Sequence, residues 1–160
     1  MGATRHAVAG LIGTCAAVLS VAAAPAVAGL PNAVIGSGRV QGTTVLVTSK
    51  GRTVYVYTGD RRGRSNCVGS CLSGWKPVLT GGKVFARKGS GVSQRMLGTT
   101  RRTNGQLQVT YNHRPLYTST QDHAAGQDYG QACQGTGGYW FIVNTRGNPN
   151  KQVINLCGAY

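Results

Sequence analysis

The stretch Thr53 to Cys71 reads TVYVYTGDRRGRSNCVGSC and decides the fold. It sets a tyrosine-rich run, typical of a strand, before a lone aspartate, a basic loop and two close cysteines. A fainter copy follows downstream, in the same order and at a constant offset of 62 residues: Tyr55 and Tyr117, Asp60 and Asp122, Cys71 and Cys133. Three unlike residue types in one register predict an internal duplication.

The composition predicts an all-β fold. The chain has 160 residues, which fits one domain, and it contains 25 Gly and no Glu, whereas helical surfaces normally use Glu. Short runs of Val, Thr and Tyr favour strands. We therefore expect two divergent, pseudo-symmetric, β-hairpin-rich repeats, about 43–100 and 101–160, packed as one small disulfide-stapled domain over 43–160.

The N-terminus predicts export. Ala7 to Ala24 is apolar, and Ala26-Val27-Ala28 supplies the small residues that a signal peptidase needs, so we expect cleavage after Ala28. Pro25 and the lack of a following basic cluster favour a signal peptide, 1–28, over a membrane helix, and the mature chain has no predicted transmembrane span. Cys15 lies inside the apolar run and is interpreted as part of the leader. Residues 29–42, rich in glycine, are predicted to be a flexible N-terminal segment.

The first repeat is predicted to begin with a hairpin. Thr43 to Thr48 and Thr53 to Thr58 have strand composition and are separated by Ser49 to Arg52, which has turn chemistry. Alternation places the tyrosines of the second strand on one face and its valines on the other. Two apolar-capable faces indicate a strand that is covered on both sides or is central in its sheet.

The second repeat carries the clearest hairpin signal, Asn104-Gly105, which is typical of a type I′ turn between strands 99–103 and 106–111. Further predictions are an edge strand or loop at Trp75 to Leu79, because of its proline, and a short strand at Lys83 to Arg87. The remaining predictions are a tight turn at Asn112-His113, a long loop over 126–137, a core strand over Tyr139 to Asn144 and a closing strand over Gln152 to Leu156.

Four cysteines remain after removal of the leader: Cys67, Cys71, Cys133 and Cys157. An even number in an exported chain indicates disulfides, and four cysteines allow three pairings among which spacing does not choose. We favour Cys67–Cys71, which encloses a glycine-containing loop, with Cys133–Cys157. A redox-active pair is the alternative, but three intervening residues and no following helix argue against it.

The charge is strongly positive. Seventeen Lys and Arg face three Asp, for a net charge of +14 and a pI near 10.3. Such a field attracts anions, so we predict either a basic surface that serves only solubility or binding of an anionic cell-wall polymer; nucleic acid would bind non-specifically. The candidate anion-binding residues are Arg61, Arg62, Arg64, Arg101 and Arg102.

The aspartates allow two interpretations. Asp60, just past a strand, could accept hydrogen bonds from loop amides or from nearby arginines (Arg61, Arg62, Arg64 or Arg114) and fix a structural corner. Alternatively, Asp60 and Asp122 could meet and, with His123, hold a metal or perform hydrolysis. We favour the structural interpretation and assign no catalytic residue, metal or cofactor. The aromatic side chains are interpreted mainly as core, with stacking on sugars or bases as the alternative.

These motifs resemble an exported bacterial repeat family of unknown function that carries a Tyr-x4-Asp motif, also described as lipoproteins with a Yx(F/W/Y)xxD pattern. The match covers roughly Gly42 to Val143. In the first copy it rests on Tyr55, Tyr57, Asp60, Ser65, Cys67, Gly69, Cys71, Trp75 and Pro77. In the second copy it rests on Gln108 to Tyr111, Arg114 to Tyr117, Asp122, Gly126, Gly130-Gln131, Gly138 and Trp140.

The resemblance implies a duplicated exported domain and no established enzymatic activity. It also supports the Cys67–Cys71 pair, with Cys133–Cys157 stapling the C-terminal strand. Two positions depart from the pattern: Ser119 stands where an aromatic is common, and the lipid-bearing cysteine of relatives is not evident, which favours release or wall association.

We therefore expect a secreted or cell-wall-associated, non-catalytic protein whose basic loops bind anionic envelope polymers. The alternatives are a metal-dependent or hydrolytic enzyme using Asp60, Asp122 and His123, and a structural or adhesive surface protein.

Overall fold

The computed structural model describes residues 1–2, 29–135, 137–151 and 157. Strands dominate this part of the chain, as the composition predicts, and the only α-helical segment within it is the single turn α1, Cys71–Gly74. A 3₁₀ turn covers Gln94–Met96. The strands are β1 (Ala33–Val40), β2 (Thr43–Thr48), β3 (Tyr55–Tyr57), β4 (Trp75–Pro77), β5 (Leu79–Thr80), β6 (Val84–Ala86), β7 (Leu97–Arg101), β8 (Leu107–Tyr111), β9 (Arg114–Pro115), β10 (Tyr117–Ser119), β11 (Gln134–Gly135) and β12 (Gly138–Ile142).

The strands form three sheets. A five-stranded sheet has the order β11-β12-β3-β10-β4, and a three-stranded sheet has the order β2-β1-β6. The third sheet runs β5-β8-β7, with β9 added on β8. The short β3 is therefore the central strand of the five-stranded sheet, with β10 paired beside it.

The duplication is visible as an interlocked pair. The β1–β2 hairpin of the first copy corresponds to the β7–β8 hairpin of the second, and Tyr55 pairs in register with Tyr117 where β3 meets β10. The flanking strands are exchanged: β4 of the first copy pairs with β10, and β12 of the second copy pairs with β3. Each copy thus completes its sheet with a strand of the other.

The core lies on both faces of β3. Tyr55 and Tyr57 belong to one buried cluster, with Trp140, Tyr117 and the cysteines, whereas Val54 and Val56 belong to a second cluster with Tyr111 and Leu116. All four β3-region side chains are at most 5 % exposed. The predicted central strand with two apolar faces is confirmed.

The prediction of a flexible segment over 29–42 is wrong for 33–40, because these residues form strand β1. The predicted domain start at residue 43 lies inside the hairpin that β1 forms with β2. The glycines that suggested flexibility mark close packing instead. A Cβ on Gly36 would lie 3.0 Å from the Arg87 guanidinium carbon, and one on Gly38 would lie 3.0 Å from Val47 Cγ1.

The first predicted hairpin is only partly correct. Val47 bridges Thr53, and the Val54 N–H donates to the Leu46 carbonyl, so the two strands start as a hairpin. They then separate, because the main partner of β2 is β1 while β3 enters the five-stranded sheet.

The second hairpin, β7–β8, is confirmed, but its turn type is not. Only Gly105 has a positive φ, 84°, and the Gly105 N–H donates to the Arg102 carbonyl, which is the pattern of a three-residue loop ending in a left-handed glycine. The type I′ geometry lies at Asn112-His113 instead, with φ of 47° and 61° between β8 and β9.

The remaining strand predictions are confirmed within the described residues. The edge position of Trp75–Pro77, the short strand Val84–Ala86 and the buried strand Gly138–Ile142 are all present. The closing strand predicted over 152–156 and the leader over 3–28 lie outside the described residues. Disulfides join Cys67 to Cys71 and Cys133 to Cys157.

Candidate functional site

The two motif aspartates are held by tyrosines of the opposite copy. Tyr117, in β10, donates its hydroxyl hydrogen to Asp60 Oδ2 at 2.8 Å. Tyr55, in β3, donates to Asp122 Oδ2 at 2.8 Å. The Tyr-x4-Asp spacing therefore does not describe a local pair, because each motif supplies a donor to the other copy and receives one back.

Each aspartate also fixes its own loop. The Asn66 N–H donates to Asp60 Oδ1 at 2.7 Å, and the Tyr129 N–H donates to Asp122 Oδ1 at 2.9 Å. Both loops are thus tied to the end of a central strand by one carboxylate that accepts a backbone amide and a tyrosine. The structural corner expected from the sequence is the observed role of the carboxylates, with Tyr117 and Tyr55 as partners that the sequence did not indicate.

Burial sets the protonation of these groups. Desolvation raises the pKa of Asp60 to about 6, opposed by the hydrogen bonds from Asn66 and Tyr117 and by the charge of Arg102. Desolvation likewise raises the pKa of Asp122 to about 6, opposed by Tyr55, Tyr129 and Arg52. The pKa values of Tyr55 and Tyr117 are also raised, mainly by burial, so both remain donors.

The arginine partners expected for the aspartates were wrong. The hydrogen bonds that hold Asp60 come from a tyrosine and backbone amides, while Arg61, Arg62 and Arg64 are exposed. The cation whose charge lowers the pKa of Asp60 is Arg102, and its side chain is only 7 % exposed.

Arg102 was also predicted to bind anions, and the structure removes it from that set. Its guanidinium donates to Ser65 Oγ at 2.9 Å, to Gln108 Oε1 at 2.6 Å and to the Cys67 carbonyl at 2.7 Å. Arg102 is buried and committed to three internal acceptors, and its charge acts on Asp60. Arg101 is exposed and donates to the Gly105 carbonyl.

The aromatic side chains mostly build the core. Trp140 stacks between Tyr57, with ring centroids 4.5 Å apart, and Trp75, with centroids 3.8 Å apart. Tyr117 meets the same indole edge-on. Among the tyrosines that the structure describes, only Tyr139 is exposed, at 46 %. The core interpretation therefore holds for the motif aromatics.

A basic cleft, which we call cleft A, opens beside the Asp60 corner. It has a volume of about 300 Å³. Its lining combines the end of β3 and the loop after it with the β8–β9 turn and β9: Tyr57, Asp60, Arg61, Arg62, Asn112, Arg114 and Pro115. Three arginines from both copies thus face one depression.

A second depression, cleft B, lies at the equivalent place on the other copy. It has a volume of about 560 Å³ and is lined, among others, by Lys50, Arg52, Lys76, Ser119 and His123. Four of these are the 62-residue counterparts of cleft A residues, since Lys50, Arg52, Ser119 and His123 correspond to Asn112, Arg114, Tyr57 and Arg61. The duplication therefore repeats the depression together with the corner.

The residues of the enzymatic alternative do not converge. β3 and β10 are antiparallel and paired at Tyr55 and Tyr117, so the chains leading to Asp60 and Asp122 run in opposite directions from that pair. Across residues 29–135, 137–151 and 157, no three His, Cys, Asp or Glu side chains come together to hold a metal ion. His123 is exposed on the rim of cleft B.

These features define a class: a duplicated, interlocked, disulfide-stapled all-β domain with a tyrosine–aspartate corner in each copy. The family model described as a secreted repeat of unknown function matches residues 39–79 and 98–144, and the chain belongs to that family. The two matched segments coincide with the two copies. No curated protein and no solved structure matches the chain.

Two sets of cleft-lining residues were not predicted as binding residues from the sequence. Arg114 and Asn112 complete cleft A from the other copy, and Lys50, Arg52 and Lys76 form the counterpart cleft. The signal that could have found them is the offset itself, because Arg52 and Arg114 are 62 residues apart like the motif tyrosines.

Proposed function

We propose that this secreted repeat protein is a non-catalytic binding module whose exposed cations engage anionic polymers of the cell envelope. Family membership supports secretion. Among the described residues, no helix is long and apolar enough to cross a membrane. Cleavage after Ala28 remains a prediction.

The observation that carries this proposal is the separation of charge between interior and surface. Asp122 and Asp128 are 0 % and 6 % exposed, and Asp60 is half-buried with both oxygens accepting hydrogen bonds. All described lysines and arginines except Arg52 and Arg102 are exposed. The charged groups on the described surface are therefore almost all cations, which favours polyanions and raises their association rate.

The commitment of the carboxylates supports a non-catalytic role. Asp60 and Asp122 each accept a tyrosine hydroxyl and a backbone amide. Each of the four carboxylate oxygens accepts a hydrogen bond that fixes a loop corner, which favours a structural role over that of a general base. The same side chains thus explain why the fold needs aspartate without invoking a reaction.

The test is binding of the disulfide-intact protein to a phosphodiester-linked wall polymer and to neutral dextran, at about 20 mM and about 500 mM salt. We expect saturable binding to the anionic polymer at low salt, a steep loss at high salt and no binding to dextran. Duplex DNA is included as a third polymer, and it should bind without sequence preference. Equal binding to dextran and to the anionic polymer at low salt would overturn the proposal.

A further inference from the structure

We propose that clefts A and B are two phosphate-binding subsites, one on each side of the β3–β10 pair, with cleft A the tighter. This inference rests on the proposed function and sharpens it, because it places polyanion binding at two defined points instead of on the surface as a whole. The ligand class is a chain of phosphate groups rather than a polymer with single carboxylates.

Cleft A has the chemistry of a phosphate site. Arg61, Arg62 and Arg114 are exposed, and within the described part of the chain no acceptor takes a hydrogen bond from their guanidinium groups. Guanidinium groups present a planar fork that suits phosphate oxygens, and three of them supply more charge than one carboxylate neutralises.

The loop that carries these arginines is held in place by backbone contacts. Arg61 and Arg64 exchange both backbone hydrogen bonds, at 3.0 and 3.1 Å, around Arg62-Gly63. The Gly63 N–H donates to the His113 carbonyl at 2.7 Å, which ties the loop to the turn before Arg114. The two sources of positive charge are therefore pre-positioned against each other.

Asp60 lines the same cleft, and its charge would oppose an anion. Its oxygens accept hydrogen from the Asn66 amide and the Tyr117 hydroxyl, and the Arg102 guanidinium acts on it from the interior. The carboxylate is thus balanced from within, which leaves the three exposed arginines to set the field of the cleft.

Cleft B lies at the position equivalent to cleft A but has fewer cations that are free of internal hydrogen bonds. Arg52 is half-buried and donates to the Ser119 carbonyl at 3.2 Å, and Lys76 donates to the Leu72 carbonyl at 2.6 Å. His123 and Ala124 stand where the first copy has Arg61 and Arg62. Fewer uncommitted cations predict a weaker second subsite.

The experiment is isothermal titration of the full exported chain with inorganic tripolyphosphate at low salt. The cleft A variant is Arg61→Gln, Arg62→Gln, Arg114→Gln, and the cleft B variant is Lys50→Gln, Lys76→Gln. The control variant removes three exposed cations that line neither cleft: Arg39→Gln, Lys88→Gln, Arg95→Gln. Circular dichroism and thermal unfolding check that each variant folds, and single substitutions replace any that does not.

We expect two tripolyphosphate sites on the parent chain. The affinity of the tighter site should fall by about tenfold or more in the cleft A variant, and the weaker site should be lost in the cleft B variant. The control should lose about threefold or less. If the control loses as much as the cleft A variant, binding is diffuse and the two-subsite inference fails while the proposed function stands. If neither tripolyphosphate nor the anionic polymer binds the parent chain, both fail.

A tighter response to polygalacturonate than to polyphosphate, at matched charge, would contradict the assignment to phosphate. One bound tripolyphosphate per chain in the parent protein and in every variant would contradict the presence of two sites.

Discussion

At the scale of single residues, the exchange of hydrogen bonds between Tyr55, Tyr117 and the two aspartates explains the motif. Each tyrosine is fully buried and directs its hydroxyl into the other copy, where a carboxylate closes a loop. A phenylalanine would fill the same volume but leave a half-buried or buried carboxylate without its donor. The motif therefore removes two carboxylates from solvent. Each tyrosine–aspartate pair in turn fixes one loop and joins the two copies.

We expect Tyr117→Phe and Tyr55→Phe each to lower the free energy of unfolding by about 1–3 kcal/mol, because each leaves a carboxylate oxygen without its hydrogen bond. Urea unfolding followed by tryptophan fluorescence measures the change. Tyr139→Phe, at a 46 % exposed position, is the matched control and should change stability by less than about 0.5 kcal/mol. Equal effects at all three positions would contradict a specific role for the buried pairs.

The raised pKa values of Asp60 and Asp122, both about 6, predict the pH dependence of stability. In the unfolded chain these groups titrate near their ordinary value of 3.8, so between about pH 4 and pH 6 the folded state binds more protons. Their contribution to stability therefore falls as the pH rises through this window. We expect the melting temperature to be higher at pH 5 than at pH 7.

The variants Asp60→Asn and Asp122→Asn test the assignment of that pH effect. Each should flatten the slope of melting temperature against pH between 4 and 7, whatever its effect on absolute stability. An unchanged slope in both variants would mean that other groups control the pH response.

At the scale of elements, the type I′ geometry predicted for Asn104-Gly105 is found instead at Asn112-His113, which was predicted only as a tight turn. Asn104-Gly105 uses a left-handed conformation only at the glycine, whereas Asn112-His113 places two non-glycine residues at positive φ. The reason is register: β8 and β9 pair directly at Tyr111 and Arg114, which leaves two residues for the turn and requires the tight form. The same turn precedes Arg114, which lines cleft A.

We expect His113→Gly to raise the free energy of unfolding by about 0.5–1 kcal/mol, because glycine adopts φ near 61° without a Cβ clash. Thermal unfolding measures it. The control is Thr103→Gly, in the other turn and not at positive φ, which should be destabilising because it adds only unfolded-state entropy. A stabilising effect of Thr103→Gly as large as that of His113→Gly would contradict the argument.

At the scale of the whole molecule, the exchanged strands make the two copies one folding unit. Neither β3 nor β10 has a complete set of partners without the other copy, and the flanking β12 and β4 come from opposite halves of the chain. Unfolding of one copy therefore removes the sheet of the other. The disulfides then differ in reach, since Cys67–Cys71 closes a separation of 4 residues and Cys133–Cys157 one of 24.

We expect the Cys133→Ala, Cys157→Ala variant to lose about 3–4 kcal/mol and the Cys67→Ala, Cys71→Ala variant about 2 kcal/mol, because the longer closed loop restrains the unfolded chain more. Urea unfolding of each variant, with intact-mass analysis to verify the remaining bridge, measures the difference. A larger loss on removing Cys67–Cys71 would show that packing of the fully buried Cys67 outweighs loop length.

Much of this protein follows from its sequence. The 62-residue offset of Tyr, Asp and Cys predicts the duplication. The runs of Val, Thr and Tyr, the many glycines and the absence of Glu predict the β class, because β-branched and aromatic residues favour strands and glycine favours turns. Most strands, including the central one with its two apolar faces, follow from alternation. The excess of cations is the sequence feature on which the proposed binding of anions rests.

The tertiary structure alone decided which residues meet. Strand pairing between distant segments is set by packing of both copies, which no local pattern records, so the crossing of Tyr55 to Asp122 and of Tyr117 to Asp60 was not predictable. The same holds for the burial of Arg102, which turns a predicted anion-binding residue into an internal support, and for the meeting of Arg114 with Arg61 in cleft A. The sequence supplied the charges and the repeat, and long-range β pairing decided which charged side chains are buried and which line a cleft.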